Sequence, residues 1–271
     1  MKQYFLPLPV ILILVILGGC QTPPSPKEET GDENTDTVEI STMDLWLLNS
    51  FPQRGEFRLA ALAPRFQFPD EERAYARANA ARQLSIFTGG ARVRFARVMD
   101  QNIIGTVQDQ LVEVLYDRDL AQSFGESMTI EKEIREADSY MALISQESTE
   151  VPSFPVESLV PGSKPSWITN LPRHEGYIYG VGVSGRRKTL FESSFQADNQ
   201  AMAEIAAFVE TNVFSGIANI ERSGESYGES GSSVKTLTWS DVYIEGMMII
   251  SRWREPDNSS FYSLAVARKP E

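Results

Sequence analysis

Three glycines, one histidine and a surplus of carboxylates are the residues of this chain whose types and spacing bear on chemistry. Gly180, Gly182 and Gly185 spell G-x-G-x-x-G after an aromatic-rich apolar run and ahead of a helical pattern. A dinucleotide-binding turn begins this way, with a helix N-terminus facing the pyrophosphate and an acid about 20 residues on. Here Arg186-Arg187-Lys188 and a capping box, Thr189-x-x-Glu192, delay the helix to about Leu190. The residue 20 beyond Gly185 is Ile205, still inside that helix. The glycines therefore read as places where strand and helix backbones approach closely and turn sharply, and no cofactor is expected. His174 is the only histidine and follows Pro172-Arg173 in a turn, with no nucleophile motif nearby, so it reads as an exposed loop residue. One histidine and one cysteine cannot assemble a usual zinc set. Glu131 and Glu133 alternate with their neighbours as on the wet face of a strand, although counting alone leaves a glycosidase-type acid pair open. Arg92 and Arg94 flank Val93 and Phe95 in the same way. They are candidate partner contacts for an anionic glycan or lipid head group, with Tyr227 in the polar, flexible connection Ser223–Ser233 as the third.

The amino terminus says where this chemistry would take place. Met1-Lys2 precedes an almost wholly apolar run, Phe5 to Leu17, closed by Leu17-Gly18-Gly19-Cys20. The three-part layout is that of a secretory signal, and the run is too short and Pro-broken for a spanning helix. The small pair before Cys20 resembles the bacterial lipobox, in which the cysteine is alkylated with diacylglycerol, cleaved at its amino side and acylated. Residues 1–19 read as the signal peptide and Cys20, the sole cysteine, as the lipidated residue; in the resembling family a residue other than Asp after the cysteine, here Gln21, implies the outer membrane. Loss of Lys2 with the signal takes the net charge from −12 to −13, which argues against nucleic-acid partners. Residues 20–44, with three prolines, seven acids and one lysine after Cys20, read as an acidic disordered tether. Its reach is roughly 25–30 Å.

Beyond the tether the expectation is an α+β fold of two related units, 45–147 and 167–271, each a long helix on a mainly antiparallel sheet. A proline-rich linker, 148–166, joins them. Trp46-Leu47-Leu48-Asn49 answers Trp167-Ile168-Thr169-Asn170 at an offset of 121. One extra residue then shifts the offset to 120, setting Phe57, Leu59, Ala61 and Ala63 against Tyr177, Tyr179, Val181 and Val183. On that alignment Ala60, Leu62 and Arg65 stand where the second unit has its glycines. The helices, 71–87 capped by Asp70 and one from about Leu190, return to 121, and Tyr140-Met-Ala-Leu answers Tyr262-Ser-Leu-Ala at 122. The spacing predicts strands at 214–220, 242–253 and 261–266, and a helical segment at 107–124.

Pro165-x-Trp167 with Pro172, Tyr179-Gly180-Val181-Gly182, the Ala-rich helix through Ala197, Ala201, Ala203 and Ala206, and the closing Trp253 and Tyr262-Ser-Leu-Ala-Val266 resemble the twenty-kilodalton outer-membrane lipoprotein family (Lpp-twenty type) over residues 165–268. The first unit looks like a diverged duplicate. The resemblance implies a compact α+β unit in the cell envelope and carries no catalytic residues. The expected function is thus a membrane-anchored, non-catalytic lipoprotein module. Its partner is open between another envelope protein, peptidoglycan and a second copy of itself. A secreted carboxylate-dependent hydrolase is the alternative.

Overall fold

The structure, a computed structural model, describes residues 57–100, 103–147, 149, 151–152, 154, 163–212, 224–228 and 234–270. All of these belong to one compact unit, Val38–Glu271. Cys20, the tether, Trp46 and the strand expected at 214–220 lie outside the described residues.

The first half runs β1 (Phe57–Pro64), α1 (Pro69–Gly89), β2 (Ala91–Asp100), β3 (Ile103–Tyr116), α2 (Arg118–Ser127), β4 (Thr129–Arg135) and β5 (Ser139–Gln146). The second runs β6 (Tyr177–Gly185), α3 (Leu190–Asn212), β7 (Gly224–Gly228), β8 (Val234–Ile244), β9 (Met248–Arg254) and β10 (Ser260–Arg268). The architecture is α+β, with three antiparallel sheets. Each half contributes a three-stranded sheet of matching order, β1-β5-β4 and β6-β10-β9. A four-stranded sheet, β3-β2-β8-β7, is shared by both, with β2 paired to β8 across the halves.

The two three-stranded sheets repeat down to their registers. Ala61 pairs with Ala142, and Gly182 and Ser263, each 121 residues later, pair with one another. In β4 the residue bulged out of register is Glu131, opposite Ile144 and Leu143. In β9 it is Ile250, opposite the equivalent Ala265 and Leu264. Even the strand-to-helix loops are tied alike. The amide of Phe66 donates to Glu72 Oε1, and 121 residues on the amide of Arg187 donates to Ser193 Oγ.

These registers correct the alignment at an offset of 120. At a constant 121, Leu59 and Ala61, not Ala60 and Leu62, occupy the places of Gly180 and Gly182. A one-residue slip changes every side chain's face, and β1 is apolar on both, so its sequence carries no parity signal. Leu59 and Ala61 share a core with Ala76, Ala80 and Leu84 of α1, while Ala60 and Leu62 meet Leu190 and Ala197 of α3.

α3 is buried on two sides. Ile178, Ile249, Ala265 and Ala267 of one sheet and Ala91, Val93, Phe95, Val242 and Ile244 of the shared sheet enclose Ala201, Met202, Ile205, Ala206 and Val209. Thr189 caps it, its hydroxyl accepting from Glu192 N at 3.1 Å. α1 starts differently from expectation: its N-cap is Phe68 with Pro69 following, and Asp70 instead pairs with Arg73 one turn on. The segment 107–124 is strand to Tyr116 and helix only from Arg118, where Asp117 accepts from Leu120 N at 2.9 Å. The single strand expected at 242–253 is broken by Gly246, whose φ is 63°. The proline-rich stretch is also not a free spacer, since Val151 is buried in the core and Phe154 packs edge-on to Tyr177. Among the described residues no helix is long and apolar enough to cross a membrane.

Candidate functional site

Two of the three glycines that spell a nucleotide motif, Gly180 and Gly182, are packing positions. A Cβ on Gly182 would sit 2.0 Å from Ala197 O and 2.3 Å from Ala201 N, and one on Gly180 would sit 2.5 Å from Ala201 O. The middle of α3 therefore lies directly on β6, where a pyrophosphate would have to enter. Gly185 is different from its two companions, with open space around it and no positive φ, so neither close approach nor a sharp turn explains it.

Beneath α3 this contact builds a buried polar row. Gly182, Ser263 and Arg252 are neighbours across β6, β10 and β9, so they share one face of the sheet. Asp198, next to Ala197 on the helix, accepts from Ser263 Oγ at 2.7 Å and from Arg252 Nε and Nη2 at 2.9 Å each. Arg252 Nη1 then donates to Ala60 O at 2.7 Å, joining β9 of the second half to the edge strand of the first. Asp198 and Arg252 are each 5 % exposed, which makes this a fully desolvated ion pair whose remaining polar atoms are satisfied. Beside it lies Arg82, also buried. Its Nη2 donates to Asn199 Oδ1 at 3.0 Å, and its guanidinium lies 5.0 Å from the Phe195 ring and 5.6 Å from that of Tyr116. Burial lowers its proton affinity from the ordinary arginine value. A cavity of about 20 Å³ between Asn79, Arg82, Gln83 and Asp198 has room for one water-sized group.

Glu72, Glu131 and Glu133 are held by arginines too. Glu72, with no exposed surface, accepts from Arg65 Nε at 2.8 Å and Arg135 Nε at 2.7 Å. Burial pushes its carboxyl up, but the hydrogen bonds from Arg135, Arg65 and the Phe66 amide outweigh burial and hold it below the usual carboxylate range. Glu133 accepts from both arms of Arg73 and from Tyr140 Oη, and these bonds hold its carboxyl down at about 2. Glu131 is the bulge residue of β4, not a regular wet-face position, and pairs with Arg58 at 2.9 Å.

Arg92 and Arg94 do lie on the exposed face of β2, opposite Val93 and Phe95, which face α3. They are not free cations. Arg94 stands between Glu113 on β3 and Asp241 on β8 in register, 3.7 and 3.1 Å away, and Arg92 is 3.5 Å from Asp241. Asp241 first and Glu113 after it keep Arg94 more firmly protonated than usual. An anionic glycan or lipid would have to displace both acids. Tyr227 is on strand β7, opposite Lys235, rather than in a loop. A sequence of Ser, Gly and Glu reads as a connection, but pairing with β8 supplies the order that composition lacks.

One open cavity, of about 510 Å³, was not legible in the sequence. It lies where β6 begins, under the loop Leu171–Glu175, with Phe208 of α3 forming part of its wall. His174 is exposed there, as expected of a loop residue, its ring 5.4 Å from that of Tyr177. Tyr179 lines the same cavity. Its residue is 8 % exposed, and its buried hydroxyl has no hydrogen-bond partner. Burial pushes that hydroxyl's proton affinity up, so it stays a neutral donor. The only sequence signal was a Pro-Arg-His-Glu-Gly turn of mixed charge ahead of an aromatic strand. Among the described residues no three His, Cys, Asp or Glu side chains converge as a metal ion would require.

Compared with known proteins, the chain matches no family model, no curated protein and no solved structure.

Proposed function

We propose that this protein is an exported lipoprotein, anchored through Cys20 to the outer membrane of a bacterial envelope, whose folded body is a non-catalytic binding module for a protein or cell-wall partner. The observation that carries the reading is the sequence Leu17-Gly18-Gly19-Cys20 closing a charged start and an apolar run. Several acyl chains on one cysteine, at about 0.8 kcal/mol per buried methylene, attach a protein durably. The similarity of residues 165–268 to the Lpp-twenty type of lipoprotein supports the same location.

The non-catalytic part of the proposal draws support from three of the acids with buried or partly buried carboxyls. A hydrolase working through carboxylates needs one carboxyl kept protonated near neutral pH, by burial away from cations. Glu72, Glu133 and Asp198 are instead each clamped by guanidinium groups. The test of the anchor is mass spectrometry of the amino-terminal peptide together with membrane fractionation. A lipidated Cys20 and release of Cys20→Ser into the soluble fraction are expected. An unmodified cysteine or an uncut Met1 would overturn the reading.

A further inference from the structure

We infer that the cavity at the start of β6 binds a zwitterionic amino compound with a large apolar side chain, of the size of an apolar amino acid or short peptide. The inference deepens the binding-module reading and rests on it. The cavity, about 510 Å³, is within the range of small-molecule sites, about 300–1,000 Å³. Its apolar wall is unusually bare. Leu171 is 48 % exposed and Phe208 45 %, and both belong to the same cavity, with Ile178 beside them. Two half-exposed large side chains facing one concavity are surface that an apolar group of matching size would remove from water.

The polar groups say what the rest of the ligand must be. Arg173 and Glu175 both line the cavity, are exposed, and make no ion pair with each other or with any described residue. Opposite charges two residues apart and left unpaired present a cation to a carboxylate and an anion to an ammonium group. Arginine is suited to the first by its planar fork of donors. An anionic lipid would satisfy Arg173 and leave Glu175 opposed, and a neutral glycan would satisfy neither charge.

The experiment is calorimetric titration of the full folded chain with phenylalanine, phenylalanine amide and N-acetylphenylalanine. Saturable binding of phenylalanine is expected, with each blocked form at least tenfold weaker. Arg173→Gln should erase the penalty for the amide, and Glu175→Gln the penalty for the acetyl form. Both residues are exposed loop positions, so the variants are expected to keep the wild-type melting temperature. Equal binding of all three probes, or none at millimolar concentration, would overturn the assignment while leaving a partner crosslinked elsewhere on the module untouched. Hydrolysis of a peptide or glycan by the same preparation would instead sink the binding-module reading itself.

Discussion

Replacing Gly182 by alanine is the sharpest test of why the motif carries glycines. The new Cβ would stand 2.0 Å from Ala197 O and 2.3 Å from Ala201 N, where ordinary contact starts at 3.4 Å. The obstacle is helix backbone, not the end of a flexible side chain, so α3 must retreat by more than an ångström. Overpacking of this kind costs about 1–3 kcal/mol. The retreat also carries Asp198 away from Arg252 and Ser263, and breaking a buried pair costs about 3–5 kcal/mol when lost outright. A partial loss of the pair brings the expected total to at least about 3 kcal/mol, a large share of the roughly 5–15 kcal/mol that holds a domain together. In a domain of this size that lowers Tm by about 6–12 °C. Gly185→Ala is the control, since nothing lies within 4 Å of its Cβ and its change should stay within about 0.5 kcal/mol. Urea denaturation of the three proteins, at constant m-value, reads the difference. Equal stabilities for Gly182→Ala and Gly185→Ala would refute the packing account and return the motif to a ligand.

Asp198→Asn should destabilise by about 3 kcal/mol, because Arg252 is left buried and unpaired, and Asp198→Leu with Arg252→Met should cost less than that single change. Denaturation of the pair and both singles checks this. Glu133, held at about 2 against an ordinary 4.5, favours the folded state above about pH 4.5, and that contribution is lost as pH falls toward 2. Glu72, also held low, adds to the loss in the same direction. Glu133→Gln should accordingly lower stability at pH 7 and flatten the fall between pH 4.5 and 2 in acid titrations followed by circular dichroism. Reversing Asp241 to Lys should free neither Arg92 nor Arg94 for use but repel both across the sheet, lowering Tm measurably.

Local chemistry made part of this protein legible without coordinates. The capping box at Thr189 and Glu192 marked the start of α3, because a helix end leaves amide donors that nearby side chains must satisfy. Glu255-Pro-Asp-Asn, between the strands expected at 242–253 and 261–266, is a turn sequence and forms the bend of β9 and β10, where Asn258 has φ 57°. The amphipathic charge of β2 was equally readable, since alternation along a strand is a local property. The late helix start after Gly185 was enough to argue against a dinucleotide turn. Other features depend on which distant residues meet. The parity of β1 was lost in a strand apolar on both faces, and the registers of β5 and β10 settled it. Tyr227 lies in a Ser-, Gly- and Glu-rich sequence and the stretch from 107 carries a helical pattern, and each is a strand because β8 and β2 offer it backbone partners. Asp198, Arg252 and Ser263 are separated by up to 65 residues and touch only because α3 lies directly on glycine. The cavity beside Tyr179 exists where a loop, a strand end and Phe208 of α3 fail to fill the space between them. Sequence determines the elements because hydrogen bonding and capping are satisfied within a few residues. Cavities and ion pairs are decided by close packing of whole elements, and only the tertiary structure contains that information.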